Sequence, residues 1–337
     1  MIRGEKEPLL LRECEDHDII LGKSFEVLQA IGYLHPKGGC YAVEKYKLTN
    51  IETPWKKGSS YFKRLFREYT FDALGKPTTL MYDASMRSLF PYIDLLSIRE
   101  ILKPEAGLKR LVNSVRDELE LTALELYDSL RSAGIHPSSI GLTGSLLMGM
   151  HNRFTSDIDM TVRGARNITI LFDISVLSPL QGKKLENWVK NNSERLGVPE
   201  QSVLEMYEKK KRGLFKGKTV SIIPLISREE AGNYQIISGD SLGVATLLIE
   251  LSQPSYLSYV YPSEHRFKVL SLIEGSELIR KNMYGKIISY EGLFSNALVK
   301  AGKAIVSGKV FLSKEEEFIN IVIGTRESKS SVKILKR

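Results

Sequence analysis

Residues 141–162 read GLTGSLLMGMHNRFTSDIDMTV, and the rest of the chain is best understood outward from them. Gly144-Ser145 opens a short apolar turn, eleven residues separate Ser145 from Asp157, and Asp159 follows two positions later. Side chains alternate faces along a strand, so Asp157 and Asp159 point one way while Ile158, Met160 and Val162 point into a core. Two carboxylates on one exposed face repel each other unless a cation sits between them. Mg²⁺ suits that place, since it takes one or two carboxylates plus phosphate oxygens. A Gly-Ser pair at a helix start offers backbone N–H groups and the positive end of the helix dipole, which together suit an anion. A phosphate cradle beside a cation-binding carboxylate pair reads as phosphoryl transfer from a nucleoside triphosphate.

The segment resembles the nucleotidyltransferase superfamily, the DNA polymerase beta-like fold, marked by a Gly-Ser pair, a helical turn and an acid-apolar-acid strand. Gly144-Ser145 and Ser156-Asp157-Ile158-Asp159-Met160 match that pattern, and Gly149 stands where small members often carry a second glycine. The whole chain is also similar to an archaeal nucleotidyltransferase-like family without a known substrate. There a Gly-Tyr-x-His-Pro hairpin, here Gly32-Tyr33-Leu34-His35-Pro36, precedes the motif.

The resemblance implies an α+β fold with a central nucleotidyltransferase domain on a mixed sheet over 104–231. A small α/β domain over 1–103 would precede it and a small, mostly β domain over 232–337 would follow. Asp157 and Asp159 would be the catalytic residues and metal ligands, with Gly144 and Ser145 on the triphosphate and Mg²⁺ near both oxygens of an in-line displacement. The third carboxylate of such sites arises from the next long strand, matched here by residues 219–226, TVSIIPLI. That strand has no acid, and Ser221 and Ile223 stand where one is expected. Glu229, Glu230 and Asp173 are the substitutes at hand, none on the matched strand. The expected function is Mg²⁺-dependent transfer of a nucleotide from an NTP to an acceptor hydroxyl, with RNA among the acceptors. Two alternatives stay open: a nucleotide- or RNA-binding module impaired in catalysis, and a partner-binding protein whose aspartates are residual.

Composition frames these readings. The chain has 337 residues, 42% hydrophobic and 26% charged, an ordinary globular mixture long enough for two or three cores. No apolar run approaches the roughly 18 residues that span a bilayer. The start, MIRGEKEPLLLRECEDHD, is charged and lacks the apolar core of a signal peptide. Two cysteines, Cys14 and Cys40, are too few for a disulfide framework or a metal cluster and read as small hydrophobes in a reduced, cytoplasmic setting.

A net charge of +8 suits a phosphate-rich partner. Six basic residues crowd into 209–218: Lys209, Lys210, Lys211, Arg212, Lys216 and Lys218. They close a helix expected from Pro199. They are either a solvated helix end or nucleic-acid contacts, Lys209 to Arg212 foremost. Between the halves of the central motif, Arg153 is a better phosphate contact than His151 because it stays charged.

The remaining pattern predicts strands over 25–34 and 40–48 joined by a hairpin, with His35 structural. It predicts a basic helix over 61–69, whose Phe62, Leu65, Phe66 and Tyr69 make a core face more simply than a nucleic-acid face, and a single long helix over 105–131. The stretch 166–177 is ambiguous, with β-branched content but few breakers, and a helix there would pack Ile168, Leu171, Phe172 and Val176; a helix follows over 182–196. Short β runs over 256–261, 266–273, 286–290, 308–312 and 318–323 predict a small barrel or sandwich, with a frayed tail over 326–337.

Overall fold

The computed structural model describes residues 14–65, 79–313, 315 and 317–335. Three sheets carry the chain. The first is an eight-stranded antiparallel half-barrel between Ile19 and Leu102. Its axis is the strand Gly39–Thr49, which pairs with Val27–Ala30 on one side and with Ser60–Arg64 and Ser88–Asp94 on the other. That strand is apolar on both faces. Tyr41 and Val43 join Tyr33, Met86 and Phe90 in one cluster, while Cys40 and Ala42 join Ile20, Leu28 and Ala30 in another.

Among the described residues no α-helix precedes Pro104. The helix expected over 61–69 is a strand as far as Arg64: burial alternates with Phe62 inside and Lys63 outside, and Phe62 pairs with Leu48 and Trp55. Two-residue periodicity overrides the helical spacing there; residues 66–69 lie outside the described residues.

The second sheet has four short strands, ordered Arg212–Phe215, Lys218–Leu225, Ile158–Arg163, Ile140–Leu142. Ile158–Arg163 runs parallel to Lys218–Leu225, and the other pairings are antiparallel. Two helices, Pro104–Asn113 and Glu118–Ser132, replace the single one expected over 105–131. Asp117 causes the break: its carboxylate accepts the N–H groups of Leu119 and Glu120 and starts a new helix. The helix from Pro199 ends at Met206, and the basic run leads into the Arg212–Phe215 strand instead of closing the helix.

The third sheet closes on itself. Asp240–Leu251, Ser263–Glu274, Tyr284–Ser289, Phe318–Ile323 and Lys303–Ser313 form a five-stranded barrel, sealed by the pairing of the first strand with the last. The segment 256–261 contributes a 3₁₀ turn, not a strand. Residues Ser331–Leu335 of the supposed frayed tail pair with Lys303–Ser307. The strand Asp240–Leu251 was not legible as one, because its first half is mostly exposed.

This architecture overturns the polymerase beta-like α+β expectation. The described residues are β-rich, 38% strand against 27% helix, and are dominated by the half-barrel and the closed barrel rather than by a central mixed sheet. A shared cluster including Tyr33, Phe90, Ile168, Tyr234, Ile288 and Phe311 draws on all three regions and makes one continuous interior. Arg163 ties the first region to the second, donating to Glu15 (2.8 Å), Glu105 (2.7 Å) and the Ile226 carbonyl (2.9 Å). No helix among the described residues is long and apolar enough to cross a membrane.

Candidate functional site

The Gly-Ser turn and the aspartate pair meet at one edge of the four-stranded sheet. Gly144–Met148 is a single helical turn, held by the Arg110 guanidinium on the Leu147 carbonyl (2.6 Å) and by Thr143 N–H on the Asp159 carbonyl (3.0 Å). Its outer face packs under the half-barrel, where Leu147, Met148 and Met150 join Leu21, Tyr46 and Phe62. Gly144 sits at φ +62°, and a Cβ placed on it would lie 2.7 Å from Asp159 Oδ2. Only glycine lets the backbone come this close to the carboxylate at that φ.

Ile158, Met160 and Val162 are fully buried, which leaves Asp157 and Asp159 half-buried at the rim. The Asp159 carboxylate makes no hydrogen bond or ion pair with another described residue. Asp157 is engaged. Its Oδ2 accepts from Arg212 Nη2 at 2.9 Å, and Arg212 Nη1 donates to Ser221 Oγ at 2.8 Å. Register explains the bridge: Ser221 stands beside Asp159 on one side and Arg212 on the other. Burial pushes the Asp157 carboxyl above its usual range; Arg212 and, more weakly, Arg64 oppose this, while Asp159 adds to it.

Ser221 therefore occupies the place where the sequence pattern led one to look for a third acid, and a guanidinium fills the space in front of it. The proposed substitutes lie elsewhere. Glu230 spends its carboxylate on the N–H groups of Ala165 (2.9 Å) and Ser227 (3.0 Å). Glu229 is exposed, and Asp173 ends the Ala165–Asp173 helix.

The other candidate contacts are dispersed. Arg153 is exposed with its guanidinium over the Phe154 ring at 4.5 Å. His151 Nε2 meets Asp117 Oδ2 at 2.8 Å and ties the loop to a helix start. In the basic run, Lys209 is exposed, Lys210 donates to the Phe172 carbonyl, and burial lowers the Lys211 ammonium to about 8. The four residues Lys209 to Arg212 thus face different surroundings, and only Arg212 reaches the aspartates. Sequence reading missed that role because it depends on the hairpin register.

It also misread the cysteines. Cys14 and Cys40, 26 positions apart, form a disulfide, and His35 lies beside it with Nδ1 at 3.7 Å from Cys40 Sγ. The close spacing of His35 and Cys40 in a hairpin was the available signal. No family model, curated protein or solved structure matches this chain.

Proposed function

We propose that the cleft at Gly144, Asp157 and Asp159 binds a nucleoside triphosphate together with one Mg²⁺ and supports nucleotidyl transfer to a hydroxyl acceptor. The observation that carries this reading is the bare Cα of Gly144 beside the Asp159 carboxylate, which has no hydrogen-bond or ion-pair partner among the described residues: a Cβ there would lie 2.7 Å from Asp159 Oδ2. The donor set fits a hard divalent cation, since Asp159 has no partner among the described residues and Asp157 is half-exposed. Asp159 would be the principal ligand, with Asp157 beside it, and a bound Mg²⁺ would neutralise the phosphate charge.

The chain's own groups define the rest. Gly144 gives the phosphates access to the backbone of the turn. Arg212 holds Asp157 in place and puts a fixed positive charge where a second metal's ligand is missing, and a guanidinium is suited to phosphate oxygens. A net charge of +8 favours RNA as the acceptor.

Titration calorimetry with Mg²⁺ and each NTP tests the reading. Binding that needs both components and weakens at least tenfold in Asp159→Asn supports it; no binding by the intact chain overturns it. Pyrophosphate release with labelled NTP and total RNA, lost in the Asp157→Asn, Asp159→Asn double variant, establishes transfer. A second reading, nucleotide binding without transfer, is favoured by the Arg212–Ser221 bridge in place of a third acid. Binding without pyrophosphate release decides for it.

A further inference from the structure

We propose that Cys14, His35 and Cys40 form a second metal site, a soft-donor site for Zn²⁺ that becomes available when the Cys14–Cys40 bond is reduced. Two sulfurs and one imidazole nitrogen lie within 4.8 Å of one another, on the segment entering the half-barrel, its hairpin and its central strand. These are the donor types of structural zinc sites, and both cysteines are fully buried.

Two further observations point to an ion. A Zn²⁺ bound by one Cys and one His at usual lengths and a tetrahedral angle places N and S about 3.6 Å apart. His35 Nδ1 and Cys40 Sγ stand 3.7 Å apart, and Nδ1 accepts the Tyr41 N–H at 3.2 Å, a hydrogen bond that the ion would displace. The Cα atoms of the two cysteines are 7.0 Å apart, at the wide edge of the roughly 4.4–6.8 Å usual for disulfides, so the frame leaves room for the sulfurs to separate.

The chemistry balances with a dithiol reductant. It passes two electrons and two protons to the Sγ–Sγ bond, giving two thiols and its own cyclic disulfide. Zn²⁺ uptake then displaces both thiol protons, and three protein donors leave one position for water. The occupied site would pin the segment from Cys14 to Asp18, whose His17 carbonyl accepts a hydrogen bond from Thr143 beside the aspartate cleft (3.3 Å).

The test uses the full chain in two states, oxidised and dithiol-reduced, titrated anaerobically with Co²⁺ after removal of the reductant. The reduced chain is expected to take one equivalent and develop thiolate-to-cobalt charge-transfer absorption, which Zn²⁺ then abolishes by displacement. The oxidised chain, which needs no mutation to remove the ligands, is expected to show neither. His35→Gln is expected to weaken Co²⁺ binding at least tenfold while keeping the charge-transfer band, with folding checked by circular dichroism. No band in the reduced chain overturns the proposal, as does equal uptake by the oxidised chain or an unchanged affinity in His35→Gln. None of these readouts involves a nucleotide, so the outcome is independent of the aspartate cleft.

Discussion

The aspartate cleft and the sulfur–imidazole cluster are both assembled from distant positions, yet they solve opposite problems. Asp157 and Asp159 are hard, charged donors, and the fold leaves them half-exposed with Arg212 on one of them. Cys14 and Cys40 are soft and neutral while bonded, and the fold buries them completely. The difference is set by solvation. An unpaired carboxylate pair taken out of water costs several kcal/mol, whereas a disulfide and a neutral imidazole cost little. On the two proposals, exposure would suit the cleft to an incoming cation, and burial would suit the cluster to an ion acquired once and kept.

Asp159→Asn breaks the contrast most directly. It keeps the shape of the side chain and removes a charge that has no partner among the described residues. Mg²⁺-dependent NTP affinity is expected to fall about 100-fold, which corresponds to about 2.7 kcal/mol. Asp157→Asn is expected to cost less, about tenfold, because Arg212 already neutralises that carboxylate. Calorimetry on both variants checks the order, and equal losses would place the cation between the two carboxylates instead.

Gly144→Ala probes the same site through the backbone. Alanine at φ +62° costs about 1–2 kcal/mol. The added methyl also meets Asp159 Oδ2, so nucleotide binding should be lost beyond what stability accounts for. Gly217→Ala is the matched control: it sits at φ +76° in a hairpin turn with nothing within 4 Å. Denaturant unfolding should show similar stability losses, and only Gly144→Ala should lose Mg²⁺-dependent NTP binding. Intact binding in Gly144→Ala would separate the turn from the site.

How far the sequence reveals these two regions depends on the range of the interactions. The turn and the aspartates are close in the chain, and spacing alone places them on adjacent elements. Arg212 is different. Its contact with Asp157 requires the Lys216-Gly217 turn to set Arg212 opposite Ser221, a register that charge counting does not encode. The Cys14–Cys40 pair likewise depends on the order of strands in the half-barrel. The α/β expectation for 1–103 failed for a related reason: Phe62, Leu65 and Phe66 fit a helix by spacing, while cross-strand partners Leu48 and Trp55 make Phe62 part of a strand.

Two buried titrating groups allow the solvation argument itself to be measured. Asp18 is fully buried and accepts from Lys103 at 2.7 Å, yet burial outweighs the ammonium and pushes its carboxyl up to about 7. Between pH 4 and 6.5 the folded chain holds a proton there that the unfolded chain has released, so this group makes stability fall as pH rises. His265 is buried beside Ser263 and pushed down to about 3. Over the same window the unfolded chain holds the proton and the folded chain does not, so this group makes stability rise with pH. Each contributes a slope of at most about 1.4 kcal/mol per pH unit, and the two oppose. Asp18→Asn should therefore steepen the rise of unfolding free energy from pH 4 to 6.5, and His265→Gln should flatten or reverse it. Urea unfolding at half-unit steps reads both slopes. If Asp18→Asn leaves the slope unchanged, Lys103 keeps that carboxylate ionised, and a protein cation offsets burial there more fully than Arg212 does at Asp157.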